Sequence, residues 1–223
     1  MNHGNVISVR VGAVRTRPAP AWDRRESRTW QTAYQKDEVA GAVHAGALGF
    51  AGDQVFSTDV HGGVHMAVLA YAAGHYPAWQ AELARTDFGP GAFGENLTVE
   101  HWNEDNVCIG DEFTLGSARL QVSQPRGPCN NISLYWDLPH LLKRVSDTQR
   151  TGWYLRVLAE GPVERGQRMT RVAQPHPALT VRRALSVRAD TASDPEGARL
   201  LVACAQLSPE WRTMFESKLA KRA

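Results

Sequence analysis

The sequence predicts a mainly β protein with flanking helices (α+β), ending in a small helical bundle. Three observations carry this. The first half holds many short β-type runs separated by glycine-bearing turns, which favours a barrel or sandwich over a doubly wound sheet. Sustained helical spacing of apolar residues is confined mainly to the region beyond residue 179. Between them, "AQPHPA" (173–178) has the composition of a linker. The expected organisation is a β domain over 1–175 and a three-helix appendage over 179–223.

The elements follow in order. "VISVRVGAVR" (6–15) reads as a strand, and "APAWDRRESR" as a polar loop. "WQTAYQKDEVAG" suits a second strand or hairpin arm, and Gly52-Asp53 a tight turn. "MAVLAYA" (66–72) is a continuous apolar run of buried-strand length. Tyr76, Trp79 and Leu83 share one helical face, predicting a helix over about 73–86. "FGPGAFGENLTVE" (88–100) is glycine-rich and then strand-like. "NVCIGDEFTLGSARLQVSQ" reads as short strands joined at Gly110-Asp111 and Gly116-Ser117. Asp137 is placed to cap a helix carrying Leu138, Leu141, Leu142 and Val145. "TGWYLRVLAEG" is a short helix or strand leading to a turn at Gly161-Pro162, and "VERGQRMTRVAQ" a last strand. In the appendage, Asp194-Pro195 and Ser208-Pro209 each pair a cap with proline at the first helical position. Trp211, Met214, Phe215 and Leu219 form an apolar stripe.

Bulk properties narrow the function. Hydrophobic residues are 43% and charged residues 22% of 223, ordinary for a globular chain whose core needs no disulfide support. The net charge of +2, with scattered Lys and Arg, argues against a nucleic-acid partner. No apolar run approaches the roughly 18 residues of a membrane span, and the N-terminus shows no signal pattern. A cytoplasmic protein without a membrane partner is expected. Three cysteines in no CxxC arrangement fit a reducing compartment. Cys108, in a short strand, and Cys204, at helical spacing from leucines, read as core thiols.

Cys129 differs. It sits in "SQPRGPCNN" (123–131), after a strand, where Pro125 and Pro128 fix the backbone and Arg126 lies three residues away. Such a thiol is a buried packing group, a nucleophile with a lowered pKa, or a thiolate ligand to a soft metal. Two other stretches are unusual. "HGGVH" (61–65) places glycines that permit close backbone approach, and "FGENL" (93–97) opens a strand with Glu95 and Asn96.

Taken in order, "GFAGDQ", "HGGVHMAVLAY", "FGENLTVE", "IGDEF", "LQVSQPRGPC" and "GWYLRVLAEG" resemble the MOSC domain. The trailing helices with "LSPEWR" (207–212) are similar to its YiiM-like branch. The resemblance implies a MOSC-type β-barrel that binds the molybdenum cofactor (Mo-molybdopterin), with the Cys129 thiolate as protein ligand to the metal. It implies that His61, Gly62, Gly63, Glu95, Asn96 and Arg126 line the cofactor site, with Arg126 offsetting anionic groups. One departure stands out: many relatives follow HGG with approximately P-D-basic-A, whereas this chain has Val64, His65 and Met66. His65 or Arg126 is then expected to replace a missing phosphate contact.

The implied activity is reduction of N-hydroxylated compounds such as hydroxylaminopurines, amidoximes or hydroxylamines. No flavin or iron–sulfur motif is evident, so electrons are expected from a separate donor protein. His61 or His65 would supply protons. Two alternatives remain: a sulfur carrier using a Cys129 persulfide, and a cofactor carrier without turnover. From residue 177 onward there are eight Lys or Arg and five Asp or Glu. This mildly basic appendage either docks the electron donor or simply covers the barrel.

Overall fold

The computed structural model describes residues 2–24 and 26–221. In chain order its strands are β1 (His3–Val11), β2 (Arg15–Pro18), β3 (Thr29–Thr32), β4 (Asp37–Glu38), β5 (Val43–Gly46), β6 (Gly49–Phe50), β7 (Val68–Ala72), β8 (Leu97–Val99), β9 (Glu112–Leu115), β10 (Ala118–Pro125), β11 (Trp153–Ala159), β12 (Gly161–Val163) and β13 (Arg168–Ala173). Its α-helices are α1 (Tyr76–Leu83), α2 (Asn131–Trp136), α3 (Leu141–Thr148), α4 (Val181–Ala189), α5 (Pro195–Ala203) and α6 (Pro209–Ala220).

Seven strands close a barrel in the order β13-β9-β10-β11-β7-β8-β1, with β1 returning to β13. Its pairings are antiparallel except β7 with β8, whose connection carries α1, as a parallel crossover requires. The apolar run in β7 is buried at all five positions, as expected for a strand covered on both faces. Val6, Val68, Leu97, Phe113, Leu120, Leu155 and Met169 fill the core.

Several expectations shift. The first strand ends at Val11, because Gly12 turns the chain. A Cβ at Gly12 would lie 2.7 Å from the Ala33 carbonyl oxygen, and its N–H donates to Asp53 Oδ1 at 2.6 Å. Gly161-Pro162 is not a turn: it belongs to β12, which pairs with β5. "TGWYLRVLAEG" resolves to strand β11. Asp137 caps no helix start. It ends α2 in the left-handed region (φ 54°), and its carboxylate accepts from Trp22 Nε1 at 2.7 Å. Pro139 disfavours helix at Leu138, so α3 begins only at Leu141. Leu141 and Val145 then join an aromatic cluster of Tyr34, Tyr71, Tyr76, Trp79, Phe88 and Phe93, separate from the barrel interior.

In the C-terminal helices, Asp194 and Ser208 accept from the backbone N–H of Gly197 and Trp211, as their sequence settings require. Thr180 caps α4 in the same way, through Arg183 N–H. These helices share one core with the barrel. Val181, Leu185, Leu201, Trp211 and Phe215 are buried in the same cluster as the barrel residues, and α4 packs on β10. Among the described residues, no helix is long and apolar enough to cross a membrane.

Candidate functional site

The site forms where β10 runs out. Arg126 N–H donates to the Gly152 carbonyl at 3.1 Å, holding the outgoing chain against β11. Pro125 and Pro128 stiffen the turn, and the Cys129 carbonyl accepts from Ile132 N–H at 3.2 Å at the entry to α2. The turn presents Cys129 to an open cleft of mixed polar and apolar lining. Its decisive polar walls are Tyr34, Lys36, His61, Arg126, Cys129 and Tyr154.

Cys129 is half-buried, whereas Cys108 and Cys204 are enclosed in the core. Burial pushes the Cys129 thiol up. A hydrogen bond with His61, the charge of Arg126 and the Asn131 N–H outweigh it, holding the thiol below its ordinary 9.0. The bond with Cys129 in turn raises His61. Burial drives Cys108 the other way, to about 11. The linkage signs are therefore opposite within the pair. Ionised Cys129 stabilises the fold above the unfolded thiol's range, and that contribution is lost as pH falls through its folded pKa. Protonated His61 stabilises below the unfolded imidazole value, and that contribution is lost as pH rises through its folded pKa. Iodoacetamide should alkylate Cys129 of cofactor-free protein first, with a half-maximal rate below pH 9.0, while Cys108 resists. Equal labelling of the two thiols at pH 8, read by peptide mass spectrometry, would contradict this.

Arg126 is buried, 4% exposed. Its Nη1 has no hydrogen-bond partner, and among the described residues no carboxylate forms an ion pair with it. Burial opposes its charge, but Tyr34, Tyr154, Cys129 and Glu95 sustain it. A buried guanidinium with an unused donor in the wall of a cleft has the chemistry to hold an anion.

Lys36 also lines the cleft. Lys36 is ion-paired with Asp53, and burial lowers its pKa against that pairing. Asp53 also accepts from Gly12 N–H and, at 2.8 Å, from Asn96 Nδ2. Asn96 completes the network by accepting from Leu69 N–H at 3.0 Å and donating to the Arg10 carbonyl at 3.1 Å. The asparagine of "GENL" thus holds the carboxylate that holds the lysine. In "YQKDE" nothing distinguishes Lys36 from a surface charge, so the sequence gives no sign of its place. Tyr34 carries no motif signal either, whereas Tyr154 lies in "GWYLRVLAEG", one of the stretches of the resemblance.

The predicted residues therefore divide. His61, Arg126 and Cys129 meet in one cleft. Asn96 lies beneath it with every amide position engaged internally. Glu95 does not face the cleft: its carboxylate accepts from Gly91 N–H, Phe93 N–H, Thr98 Oγ1 and Tyr76 Oη, a fully buried structural role. From the same stretch it is Gly94 that lines the cleft. At φ 71° it packs against Tyr34, whose carbonyl oxygen an added Cβ would meet at 3.1 Å. Gly62 and Gly63 adopt φ of 83° and 78° in an adjoining crevice, not the Cys129 cleft. His65 and Met66 line that crevice too, and burial and Arg156 lower His65. The basic side chain that lines the cleft with Arg126 is Lys36, not His65.

Comparison with known proteins agrees with this architecture. A MOSC domain is matched over residues 57–170, and a YiiM-like, 3-alpha helix domain over 179–222. Protein YiiM of Escherichia coli (strain K12) is 34% identical over 196 residues, covering 85% of each chain. A protein of Gibberella moniliformis named "Reductase" is 36% identical over 179 residues, 79% of this chain but 31% of the fungal one. The crystal structure of YiiM from Geobacillus stearothermophilus superposes with a TM-score of 0.80 at 30% identity, covering 97% of this chain and 99% of that one. A closed seven-strand barrel, a Pro-framed cysteine at its mouth and three trailing helices place this chain in the MOSC-domain family, among its YiiM-like members.

Proposed function

We propose that the chain is a molybdenum cofactor-dependent oxidoreductase that reduces N-hydroxylated compounds (hydroxylaminopurines, amidoximes or hydroxylamines), with electrons from a separate donor protein. The observation that carries the reading is the pairing of a thiol of lowered pKa with a buried, unsatisfied guanidinium in one cleft. MOSC domains are associated with molybdenum cofactor binding, and the fungal relative named "Reductase" supports the reductive direction.

The residues fit such a group. It is anionic, through its dithiolene and phosphate, and needs a soft protein ligand. Cys129 supplies the thiolate, and Arg126 supplies a cation with no carboxylate partner among the described residues, beside Lys36, whose charge Asp53 offsets. When bound, the cofactor supplies two-electron cleavage of an N–O bond. The overall change takes the N-hydroxylated substrate, two electrons and two protons to the amine and water. His61 holds a proton on its imidazole beside Cys129 Sγ, where it stabilises the thiolate and stands in reach of the cleft. Tyr34 and Tyr154, both raised by burial, stay protonated and orient Arg126.

Protein made in a host competent for the cofactor tests the reading. About one molybdenum per chain is expected, with amine formation from benzamidoxime when a reduced dye donates electrons. Metal without turnover would make the chain a carrier, and persulfide on Cys129 without metal a sulfur carrier. Arg126→Met sharpens the test. Molybdenum content should fall at least roughly tenfold, while the thermal midpoint of the cofactor-free protein does not fall, because removing an unpaired buried charge relieves its desolvation. Full metal occupancy in this variant would contradict the assigned anion site.

A further inference from the structure

A second crevice adjoins the Cys129 turn at Gly127 and Pro128, between β10 and the C-terminal helices. His61 and Tyr154 border both spaces, so the two share a wall next to the thiol. The second crevice holds three polar side chains that make no side-chain hydrogen bond or ion pair among the described residues. Gln124, in β10, is only 3% exposed, yet among the described residues no side-chain hydrogen bond satisfies its amide. The β10–β11 register shifts between Val122 and Gln124, the kind of irregularity that re-aims a side chain. Arg188, from α4, makes no ion pair among the described residues, and its guanidinium sits over the Trp211 ring, 5.0 Å from its centroid. Glu210, in the first turn of α6, is exposed and also makes no ion pair among the described residues. Gly127 makes the approach possible, since a Cβ there would lie 2.9 Å from Arg188 Nη1. Met66 and Met214 add apolar, adaptable wall.

An amide offers a donor and an acceptor side by side, the pattern with which glutamine reads the paired edge of adenine. A carboxylate accepts further N–H groups, and a guanidinium donates to hydroxyl or ring nitrogen. We propose that this crevice is the substrate subsite, where Gln124 on the barrel and Arg188 and Glu210 on the C-terminal helices hold the planar donor–acceptor edge of an N-hydroxylated amidine or heteroaromatic amine beside Cys129. The C-terminal helices are then part of the binding site and set its selectivity. The choice of ligand rests on the reductase reading; the crevice and its unused groups do not.

Calorimetric titration of the full-length chain with benzamidoxime tests the subsite. Wild type binds saturably. Gln124→Leu and Glu210→Ala each weaken binding roughly tenfold, the scale of one or two lost hydrogen bonds, and Arg188→Ala weakens it severalfold. Molybdenum content and thermal midpoint should match those of wild type. Absence of saturable binding, or unchanged affinity in all three variants, overturns the subsite. Loss of molybdenum from the variants also overturns it, because the crevice would then hold the cofactor. The two readings fail separately. Variant-sensitive binding by a protein without molybdenum or turnover sinks the reductase and keeps the subsite. Molybdenum-dependent turnover with variant-insensitive binding does the reverse.

Discussion

Cys129→Ser should abolish turnover and strip the molybdenum while leaving the fold intact. Cys129 is half-buried in a turn and adds little packing, so exchanging sulfur for oxygen costs little stability. The chemistry changes far more. A serine hydroxyl does not ionise under the influence of His61 and Arg126 as a thiol does, and it is a poor donor to a soft metal centre. Activity below about one hundredth of wild type is expected, a loss of roughly 3 kcal/mol in transition-state stabilisation. Dye-linked assay, metal analysis and far-UV circular dichroism together read the result. Cys108→Ala and Cys204→Ala should instead lose stability and keep activity, since both thiols are buried in the core. A fully active, metal-loaded Cys129→Ser protein would remove the thiolate from the proposed function.

Deleting 179–223 should yield protein that aggregates. The helices are tied to the barrel through its backbone: Ile109 N–H donates to the Leu179 carbonyl at 2.9 Å, Val181 N–H to Val107 at 2.8 Å, Arg182 N–H to Glu104 at 2.8 Å and Ser208 N–H to Ser123 at 3.0 Å. Their removal strands the barrel groups on the other side of each bond and opens the shared core over β10. Soluble yield and size-exclusion chromatography decide. A monodisperse 1–178 fragment that keeps molybdenum would show the helices to be a separable appendage, and would favour a donor-docking role for them.

What was legible in the sequence was what local chemistry determines. Asp194 and Ser208 stand before proline and cap as that pattern demands. The run in β7 is apolar because both its faces are covered. Cys129 stood out because two prolines and an arginine frame one thiol in a turn after a strand, although that setting alone also suited a packed thiol. Readings failed where a distant partner decides. Asp137 has a capping residue's identity, but Pro139 postpones the helix and Trp22 claims the carboxylate. Gly161-Pro162 looks like a turn until β5 is brought alongside it. Glu95 and Lys36 were misjudged or missed because side-chain direction, not residue type, decides their roles. The glutamate is consumed by Gly91, Phe93, Thr98 and Tyr76, and the lysine is carried into the cleft by Asp53 and Asn96.

The barrel is closed by its first and last strands: His3 pairs with Thr170, 167 positions later (170 − 3). During synthesis at ~5–20 residues per second, β1 therefore waits roughly 10–30 s on the ribosome before its partner exists. Throughout that interval it is an open edge, able to pair with another nascent chain. Overproduction at high temperature should therefore lose this protein to inclusion bodies more readily than its final stability would suggest. Slower translation of the segment before β13 would lengthen the exposure, whereas a chaperone that shields β1 would shorten its effect.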